Sequence, residues 1–429
     1  MVSWFRRPIS KKTADKLQFM LASQYWSLEQ IREYQWQKLQ LLISHAAGNV
    51  PYYRNLFKNN GLCPEDIRSL NDFSKIPVLT KRDMQQCLSD MVAEGTNTSK
   101  LALNSTGGST GMPLNFYQDD NYILWSDAAR LRAWRYMVGA TEKDLEAVLW
   151  GAVRDIGKGL TFKQILRGVL RERSFVLNTF DLDEALLNKY LKYYNVLKPA
   201  ILRGYASSLY YVARYLEGKR LTIHKPKAIV SSTEVLHPRM RETIERVFGC
   251  RVFDSYGCRE ISQIATECEA HNGLHVVFEN QYVELDGQDI IVTNLNNYVM
   301  PFLRYKVGDL ASALDYSPCS CGRMSPRIVS LVGRDNDNIE LPNGKVINGE
   351  FFEFLFFGIP SVIQYQVIFK RSTGRLLIRL HLSEPSEEIG MMLKMTMAEK
   401  FAFDGVDVEY SDSFDKTPTG KLRFVYSVD

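Results

Sequence analysis

The sequence predicts an α/β protein with a large N-terminal region of mixed sheets and flanking helices, followed by a small C-terminal α/β unit. Three observations predict this fold class. Short apolar runs that end in glycine, at 147–151 and 200–204, alternate with helical segments, as in parallel strands joined by helices. From Leu274 onward the apolar runs follow one another closely, as antiparallel strands do. The length of 429 residues is sufficient for two unequal domains.

Local patterns give the elements in chain order. Apolar residues recur at helical spacing from 28 to 47, and Pro51 lies shortly after the end of this pattern. An aromatic-rich segment at 121–139 predicts another helix. The C-terminal part predicts a hairpin turn at 372–374, a helix from about 386 to 401 and a closing strand. The remaining strands are predicted at 228–232, 251–256, 276–278, 281–285 and 289–293.

Composition and charge exclude several classes of protein. The net charge is +4, with 45% apolar and 24% charged residues, which is typical of a globular protein. Lysine and arginine form no long run after the first dozen residues, so nothing indicates a nucleic-acid-binding surface. We expect neither a signal peptide nor a transmembrane segment, because the N-terminus is polar and the apolar stretch at 351–369 is interrupted. Seven cysteines, an odd number, predict reduced thiols in a cytoplasmic protein.

A loop rich in glycine and hydroxyl residues runs from Ser105 to Met112 between two apolar segments. Its three glycines and four hydroxyl side chains allow the backbone to curl around a polyanion and donate hydrogen bonds to it. The loop therefore predicts phosphate binding, with a flexible Ser/Gly linker as the alternative. It matches neither G-x-x-x-x-G-K-[ST] nor G-x-G-x-x-G, the two commonest phosphate-loop patterns.

Four further segments follow this loop: Tyr256-Gly257-Cys258-Arg259-Glu260, Arg304-Tyr305-Lys306-Val307-Gly308-Asp309, Gly333-Arg334 and Lys416-Thr417-Pro418-Thr419-Gly420-Lys421. In this order, the loop and these segments resemble the motifs of the phenylacetate-CoA ligase-like branch of the adenylate-forming superfamily, which includes the CapK proteins of capsule loci. The resemblance covers nearly the whole chain. It implies a large ATP- and acyl-binding domain at 1–334 and a small mobile domain at 335–429, joined by a hinge. The hinge acid of the family falls on Asn336, which is a departure.

The resemblance also implies a nucleotide site. In the family the glycine-rich loop holds the ATP phosphates, and the aromatic residue of the segment at 256–260 stacks beside adenine. A glutamate holds Mg²⁺, which prefers carboxylate oxygens, and an aspartate accepts hydrogen bonds from the ribose hydroxyls. These roles fall on Tyr256, Glu260 and Asp309, with Arg334 near the α-phosphate. The implied ATP-binding residues are Ser105, Thr106, Gly107, Gly108, Ser109, Thr110, Gly111, Ser232, Thr233, Glu234, Ser255, Tyr256, Gly257, Asp309 and Arg334.

Two further sets of residues are implied in the same way. Lys421 would bridge the attacking carboxylate and the α-phosphate, a task suited to a flexible ammonium group, and is the implied catalytic residue together with Glu260. The alternative for Lys421 is an ordinary surface lysine. The acyl pocket is expected to include Trp150, Gly204, Tyr205, Cys258 and Arg259, although single aromatic residues more often belong to a hydrophobic core.

Cysteine and histidine residues form a separate constellation. Cys268, His271 and His275 precede Cys319 and Cys321 by about fifty residues. Three thiols and one imidazole suit a closed tetrahedral zinc site, and buried free cysteines are the alternative. The sequence leaves open which histidine would complete such a site.

The activity implied by the resemblance is ATP-dependent adenylation of a carboxylic acid with release of pyrophosphate. The acyl group would then pass to coenzyme A or to another nucleophile, such as a sugar amine or hydroxyl in capsule polysaccharide biosynthesis. One alternative is an adenylyltransferase that moves AMP onto an acceptor, as deazaflavin-adenylating relatives do. Another is a nucleotide-binding scaffold without activity. The implied cofactors are ATP and Mg²⁺, with coenzyme A and structural Zn²⁺ as candidates.

Overall fold

The computed structural model describes residues 9–106, 114–150, 162–178, 184–334, 339–341, 346–347, 351–352, 355–356, 359, 361–384, 386–401, 403–416 and 422–429. Its α-helices are α1 (Lys11–Ser23), α2 (Leu28–Asn49), α3 (Pro51–Asn59), α4 (Leu70–Phe73), α5 (Lys81–Gln86), α6 (Asp120–Trp134), α7 (Phe162–Arg167), α8 (Glu184–Leu197), α9 (Ala206–Gly218), α10 (Pro238–Phe248) and α11 (Glu387–Lys400). Shorter helical turns lie at Pro64–Asp66, Thr98–Lys100, Tyr136–Val138 and Gly168–Glu172.

The strands are β1 (Ala102–Ser105), β2 (Asn115–Gln118), β3 (Glu146–Trp150), β4 (Ser174–Asn178), β5 (Ile201–Tyr205), β6 (Ala228–Ser232), β7 (Val252–Cys258), β8 (Ser262–Glu267), β9 (Leu274–Val276), β10 (Gln281–Asp286), β11 (Asp289–Asn294), β12 (Tyr305–Ala311), β13 (Leu314–Asp315), β14 (Arg327–Ile328), β15 (Leu331–Arg334), β16 (Ile339–Glu340), β17 (Val346–Ile347), β18 (Val362–Lys370), β19 (Arg375–Leu382), β20 (Gly405–Tyr410) and β21 (Val425–Val428).

The largest sheet has nine strands in the order β13-β14-β9-β8-β7-β6-β5-β3-β4. Strands β4, β3, β5, β6 and β7 are parallel to their neighbours, as the alternation of apolar runs and helices predicts. Beyond β7 the sheet continues with antiparallel pairs, first β7 with β8 and then β8 with β9. Ligand sites in open α/β sheets lie beyond the carboxyl ends of the parallel strands, so the end of β7 is a natural place for a site.

Smaller sheets surround this one. Strands β10, β11, β12 and β15 form an antiparallel sheet, and β1 and β2 form a separate hairpin. The C-terminal sheet has the order β20-β19-β18-β21, with α11 between β19 and β20 along the chain. Its β18–β19 hairpin turns at the segment where the sequence predicts a turn, with Lys370 paired to Arg375. The predicted fold class is confirmed.

The three largest hydrophobic cores among the described residues hold these layers together. The first packs α2 and α3 onto β8, β11 and β12, with Tyr53 and Ile264 fully buried. The second packs α8, α9 and α10 onto β3, β5 and β6. The third belongs to the C-terminal sheet and α11 and includes Phe356 and Leu393. Phe424 packs against both the second and the third core, so the C-terminal sheet contacts α9 and α10.

Local sequence signals explain where several helices begin and end. Ser27 and Gln30 form a capping box at the start of α2, which satisfies backbone N–H groups of the first turn. Pro51 lies one residue beyond the C-cap of α2 and is the first residue of α3, where its missing N–H costs little. The helix expected at 121–139 ends at Trp134 and continues as the short turn Tyr136–Val138.

A buried ion pair ties the N-terminal helix to the body of the protein. Arg132 of α6 contacts Glu279 at 2.6 Å, and the hydroxyl of Ser23 in α1 donates a hydrogen bond to the same carboxylate at 2.7 Å. Arg132 also donates to the carbonyl oxygen of Met20 at 2.9 Å. Burial of such a pair is tolerated only when its remaining polar atoms are satisfied, as they are here.

Candidate active site

The glycine-rich loop connects β1 and β2 along the chain. Ser105 is paired with Asn115 at the end of the ladder. The N–H of Thr106 donates to the carbonyl oxygen of Leu114, and the N–H of Leu114 donates to the hydroxyl of Thr106, both at 2.9 Å. These two bonds close the base of the loop. Its expected phosphate ligands Gly107, Gly108, Ser109, Thr110 and Gly111 lie outside the described residues.

Tyr256 and Asp309 come from two different sheets and meet in space. Tyr256 lies in β7 of the nine-stranded sheet, and Asp309 lies in β12 of the antiparallel sheet. The hydroxyl of Tyr256 donates a hydrogen bond to Oδ2 of Asp309 at 2.9 Å. The structure therefore brings together the two residues that the resemblance assigns to adenine and ribose.

Glu260 lies in the turn between β7 and β8, beside this pair. Its backbone carbonyl accepts a hydrogen bond from the hydroxyl of Tyr122 at 3.1 Å, and its Oε1 accepts one from the hydroxyl of Tyr305 at 3.4 Å. The residue is partly exposed, so the carboxylate is held in place while remaining accessible. Carboxylate oxygens are the ligands that Mg²⁺ prefers in proteins, so Glu260 fits the role of a magnesium ligand.

Backbone geometry explains why glycine occupies position 257. A β-carbon at Gly257 would lie 2.3 Å from the carbonyl oxygen of Ser262, much closer than two such atoms can approach. The register of the β7–β8 ladder also shifts between Tyr256 and Gly257. The glycine thus permits the irregularity in the β7–β8 ladder between Tyr256 and Glu260.

Cys258 and Arg259, expected in the acyl pocket, lie in the same segment. Burial raises the pKa of the Cys258 thiol well above its usual value, and the charge of Glu260 raises it further. Cys258 is therefore a neutral thiol at physiological pH and packs against the first hydrophobic core. Arg259 is partly buried.

Arg334 and Lys421 are the remaining residues of the implied nucleotide site. The backbone of Arg334 in β15 pairs with that of Asp309 in β12. The motifs at 304–309 and 333–334 are therefore neighbours in one sheet. Lys421 lies outside the described residues, as does Asn336 at the expected hinge. The segment that contains Lys421 is bounded by Lys416 and Leu422, which form an antiparallel bridge.

Aromatic side chains expected in the acyl pocket meet at the carboxyl ends of β3 and β5. The rings of Trp150 and Tyr205 have centroids 4.8 Å apart, and both side chains are buried. Gly204 lies against β3, where an added β-carbon would be 2.9 Å from Cβ of Leu149. Tyr205 is in register with Ser232 of β6, which in turn is in register with Ser255 of β7. These residues thus form a continuous row across the sheet.

Sequence reasoning missed a charged cluster beneath this row. Glu146 in β3 contacts Arg203 in β5 at 2.7 Å and Arg135 at 3.2 Å, with all three side chains almost fully buried. The guanidinium of Arg203 lies 3.9 Å from the ring centroid of Trp134. The signal available in the sequence was a charged residue inside each of two apolar strands, which requires a buried partner.

Three consecutive hydroxyls at the end of β6 lie close to the row. The Oγ atoms of Ser231 and Ser232 and the Oγ1 of Thr233 are buried and have no hydrogen-bond partner among the described residues. Thr233 has a φ of 74°, a left-handed conformation that is strained for a β-branched residue. The next residue, Glu234, accepts hydrogen bonds from the N–H of Ser207 at 2.8 Å and of Leu422 at 3.2 Å.

Four of the five predicted metal ligands lie together. The ligand atoms of Cys268, His275, Cys319 and Cys321, named here the Cys/His group, are all within 4.8 Å of one another. The sulfurs of Cys268 and Cys319 are 3.8 Å apart, and Nε2 of His275 is 3.4 Å from the sulfur of Cys321. A tetrahedral zinc site has sulfur–sulfur edges of about 3.8 Å and sulfur–nitrogen edges of about 3.6 Å. The group therefore has the dimensions of such a site.

The orientation and charge of His275 suit a metal ligand. Its Nδ1 lies 2.9 Å from the hydroxyl of Ser325, which directs Nε2 toward the thiols. Burial, together with the charges of Arg323 and Arg327, lowers the pKa of His275 to about 4. The imidazole is therefore neutral at physiological pH, as metal coordination requires.

His271 is not a member of the Cys/His group, which corrects its inclusion among the candidate ligands. Its Nδ1 lies 3.3 Å from Oε2 of Glu267 and 3.3 Å from a guanidinium nitrogen of Arg241. The ring packs on Phe253 at 4.7 Å between centroids. Sequence spacing could not separate the two histidines, because the difference arises from the strand β9, which turns His275 toward the loop at 319–323.

Asp254 belongs to the same buried cluster as His271. Its N–H donates to Oε2 of Glu267 at 2.8 Å. Burial, followed by the negative charge of Glu267, raises the pKa of Asp254 to about 7. Asp254 is thus a carboxyl group that titrates near neutral pH.

Curated relatives match the chain over most of its length. CapK of Staphylococcus aureus is 26% identical over 401 residues, which covers 91% of this chain and 88% of CapK. Phenylacetate-coenzyme A ligase of Thermus thermophilus is 23% identical over 398 residues and covers 84% of both chains. Over most of its length the chain is similar to CapK and to the phenylacetate-CoA ligases, in agreement with the resemblance that its motifs indicate. No protein-family model matches the sequence.

Solved structures of adenylate-forming ligases share the fold of this CapK-like ligase. A 2-hydroxyisobutyryl-CoA ligase in its postadenylation state, bound to an acyl-AMP, matches with a TM-score of 0.74 and 20% identity, covering 95% of this chain and 91% of that one. The same ligase in the thioesterification state, with acyl-AMP and CoA, matches with a TM-score of 0.61 over 94% of this chain and 91% of that one. The arrangement of this CapK-like chain is therefore more similar to the postadenylation structure.

All seven cysteines of this CapK-like ligase lie in the described part of the chain, and all are free thiols. Within the same described residues, no helix combines the length and apolar character needed to cross a bilayer.

Proposed function

We propose that this ligase activates a carboxylic acid by adenylation. The carboxylate attacks the α-phosphorus of ATP, the bond to the β-phosphate oxygen breaks, and pyrophosphate leaves. The observation that carries this proposal is the convergence of Tyr256, Asp309 and Glu260 at the end of β7, with a contact of 2.9 Å between the first two. A carboxylate is a poor acyl donor because it would have to expel an oxide, and the adenylate gives it a phosphate leaving group.

The residues of the site then have distinct tasks. Asp309 would accept hydrogen bonds from the ribose, and Tyr256 would support both the base and the Asp309 carboxylate. Glu260 would hold Mg²⁺, whose charge offsets that of the triphosphate. Lys421 would bring the two anions together, and Arg334 would lie near the α-phosphate. Catalysis in this scheme consists of positioning and charge neutralisation.

Coenzyme A is the acceptor that we propose for the acyl group. Its support is that curated relatives are phenylacetate-coenzyme A ligases and that a solved structural neighbour is a 2-hydroxyisobutyryl-CoA ligase bound to acyl-AMP and CoA. The thiolate of coenzyme A would attack the acyl carbonyl, and AMP would leave. The similarity to CapK keeps a sugar amine or hydroxyl in capsule polysaccharide biosynthesis as the alternative acceptor.

Pyrophosphate release with a panel of carboxylic acids tests the first half-reaction. We expect release that depends on ATP, Mg²⁺ and an added acid, and AMP production after coenzyme A is added. Lys421→Ala should slow acyl-adenylate formation by roughly 10²-fold, the scale of one preorganised charge contact, with much less effect on the second step. Pyrophosphate release that needs an acceptor without a carboxyl group would instead indicate an adenylyltransferase, and no release at all would indicate a scaffold.

Zn²⁺ is the metal that we propose for the Cys/His group. Three thiolates and a neutral imidazole form a donor set that zinc prefers, and the distances between donor atoms support tetrahedral coordination. The group joins the turn after β8, strand β9 and the loop at 319–323, so its role would be structural. The metal would fix this loop against the nine-stranded sheet.

Two further proposals concern the division into domains and the cellular location. The separate core of the C-terminal sheet supports a division into domains at 1–334 and 335–429, with the small domain mobile about the hinge. The free thiols support a cytoplasmic location, where such a Cys/His group would persist without oxidation.

A further inference from the structure

Glu234 connects two parts of the protein that belong to different cores. Its Oε2 accepts a hydrogen bond from the N–H of Ser207 at 2.8 Å, and its Oε1 accepts one from the N–H of Leu422 at 3.2 Å. Ser207 lies in the first turn of α9, which packs on the nine-stranded sheet. Leu422 precedes β21 of the C-terminal sheet. One carboxylate thus spans the interface between α9 and the C-terminal unit.

The bond to Ser207 anchors Glu234 firmly on the α9 side. Helix α9 has 13 residues, and a carboxylate near its N-terminus is stabilised by the unpaired N–H groups and the helix dipole. Thr233 adopts a φ of 74° just before Glu234. Such strain in a β-branched residue persists only where the surrounding structure enforces it, and here the strained turn aims Glu234 at the interface.

The bond to Leu422 acts at the base of the segment that carries Lys421. Leu422 pairs with Lys416 across that segment. Gln366 of β18 donates hydrogen bonds to the carbonyl oxygens of Asp415 at 2.9 Å and Arg423 at 2.8 Å. Both ends of the segment are therefore fixed to the C-terminal sheet. The bond from Leu422 to Glu234 therefore links α9 to a residue that is itself paired with Lys416 of the C-terminal unit.

Mostly apolar and aromatic side chains, together with Ser207 and Gln364, surround this connection. A narrow cavity at the interface is lined by Tyr210, Tyr211 and Met240 on one side and by Ile363, Leu422 and Phe424 on the other. Apolar packing of this kind sets no unique orientation, whereas two charge-assisted hydrogen bonds to backbone amides do. Leu422 is 7% exposed, so the bond to its N–H is shielded from water.

We propose that Glu234 is a positioning residue for the adenylation step, which holds the C-terminal unit in the arrangement that this structure shows. The inference rests on the proposed function. Its support is the greater similarity of the chain to a postadenylation structure than to a thioesterification structure of the same ligase, with TM-scores of 0.74 and 0.61. If the small unit rotates for acyl transfer, the bond to Leu422 breaks while the bond to Ser207 remains. Glu234 thereby favours one of two arrangements.

Half-reactions measured separately test this role. In Glu234→Ala both bonds are lost, and we expect acyl-adenylate formation to slow by roughly 10-fold or more, the scale of lost hydrogen bonds to a charged group. Acyl transfer from preformed adenylate should stay within about twofold of wild type, since that step does not need the bond. Glu234→Gln retains one acceptor oxygen and should lie between the two. Glu217→Gln, at the far end of α9, is the control and should match wild type.

Hydrogen exchange gives a readout that does not depend on activity. Mass spectrometry of peptides that contain Ser207 and Leu422 should show faster amide exchange at both positions in Glu234→Ala, and unchanged exchange in Glu217→Gln. Equal losses in both half-reactions, or faster exchange at Ser207 alone, would overturn the proposal, because they indicate a role confined to α9. If wild type releases no pyrophosphate with any acid, the proposed function fails, and the exchange experiment still decides whether Glu234 holds the C-terminal unit.

Discussion

The hydroxyl of Tyr256 lies 2.9 Å from Oδ2 of Asp309, and this hydrogen bond joins two sheets. The two residues are 53 positions apart in the sequence. Their contact orients the Asp309 carboxylate before any nucleotide is present. A preorganised acceptor of this kind loses little entropy when the ribose binds.

Tyr256→Phe should therefore weaken ATP binding. The ring is retained, so stacking beside adenine is preserved, but Asp309 loses its buried partner. A hydrogen bond to a charged group contributes about 1.5–3 kcal/mol, so we expect ATP binding to be weaker by roughly 10-fold or more by calorimetry. Tyr410→Phe, which removes a hydroxyl that donates to the carbonyl oxygen of Ser386, is the matched control. Wild-type affinity in Tyr256→Phe would show that Asp309 needs no such support.

Removal of the proposed zinc should destabilise the protein. Cys319→Ser combined with Cys321→Ser deletes two ligands of the Cys/His group, so we expect a lower thermal unfolding midpoint and loss of bound metal. Elemental analysis after purification without added metal should give about one zinc per wild-type chain. Cys63 and Cys87 lie outside the group, so the control variant Cys63→Ser with Cys87→Ser should change neither the unfolding midpoint nor the zinc content. A zinc content far below one per chain would contradict the proposal.

Glu146→Gln should cause a large loss of stability without touching the nucleotide site. The change leaves the buried guanidinium groups of Arg135 and Arg203 without their carboxylate partner. Breaking a buried pair in this way costs about 3 kcal/mol or more in the free energy of unfolding, measurable by urea titration. Glu94→Gln breaks an ion pair with Arg54 in which both side chains are about half exposed, and should have little effect. Similar urea unfolding curves for the two variants would show that the buried cluster of Glu146, Arg135 and Arg203 does not stabilise the protein more than a surface ion pair.

Asp254→Asn should flatten the dependence of stability on pH. Because burial and Glu267 raise the pKa of Asp254 to about 7 in the folded chain, the folded state binds a proton more tightly than the unfolded state. The stability contributed by the protonated form is complete below about pH 4 and is lost as the pH rises through about 7. The wild-type unfolding midpoint should thus fall more than that of Asp254→Asn between about pH 5.5 and about pH 8.5.

The control for this experiment is Asp72→Asn. Hydrogen bonds from Lys75 and Ser69 lower the pKa of this carboxyl to about 2, so it does not titrate in the same range. Its profile should run parallel to that of wild type. If Asp254→Asn also runs parallel, Asp254 is charged in the folded protein throughout this range.

Local patterns predicted much of the fold because they depend on neighbouring residues. The strand predicted at 228–232 is β6, and the helix predicted from about 386 to 401 is α11. Sheet order could not be predicted in the same way, since β3 lies between β5 and β4 only after helices cross the sheet. The edge strand β4 had no separate signal that sets it apart from a buried helical segment.

The residues of the candidate site also differ in how far the sequence could predict them. Motif order in the sequence was enough to nominate Tyr256, Glu260 and Asp309, because each motif carries its own residue types. It could not reveal that Glu146 and Arg203 form a pair, since 57 residues separate them and only the parallel alignment of β3 and β5 brings them together. Nor could it show that Glu234 reaches Leu422, a contact between residues 188 positions apart.

The location of these residues on two separate sheets has an evolutionary consequence. The aromatic residues Trp150 and Tyr205 lie on the parallel strands β3 and β5, whereas Asp309 lies on β12 of a different sheet. Substitutions that reshape the first set leave the second set in place, because the two share no strand. Under the proposed assignment of Trp150 and Tyr205 to the acyl pocket, a lineage would be able to acquire a new acid while retaining its nucleotide chemistry. A mutant library restricted to the ends of β3 and β5 would sample the same route in the laboratory.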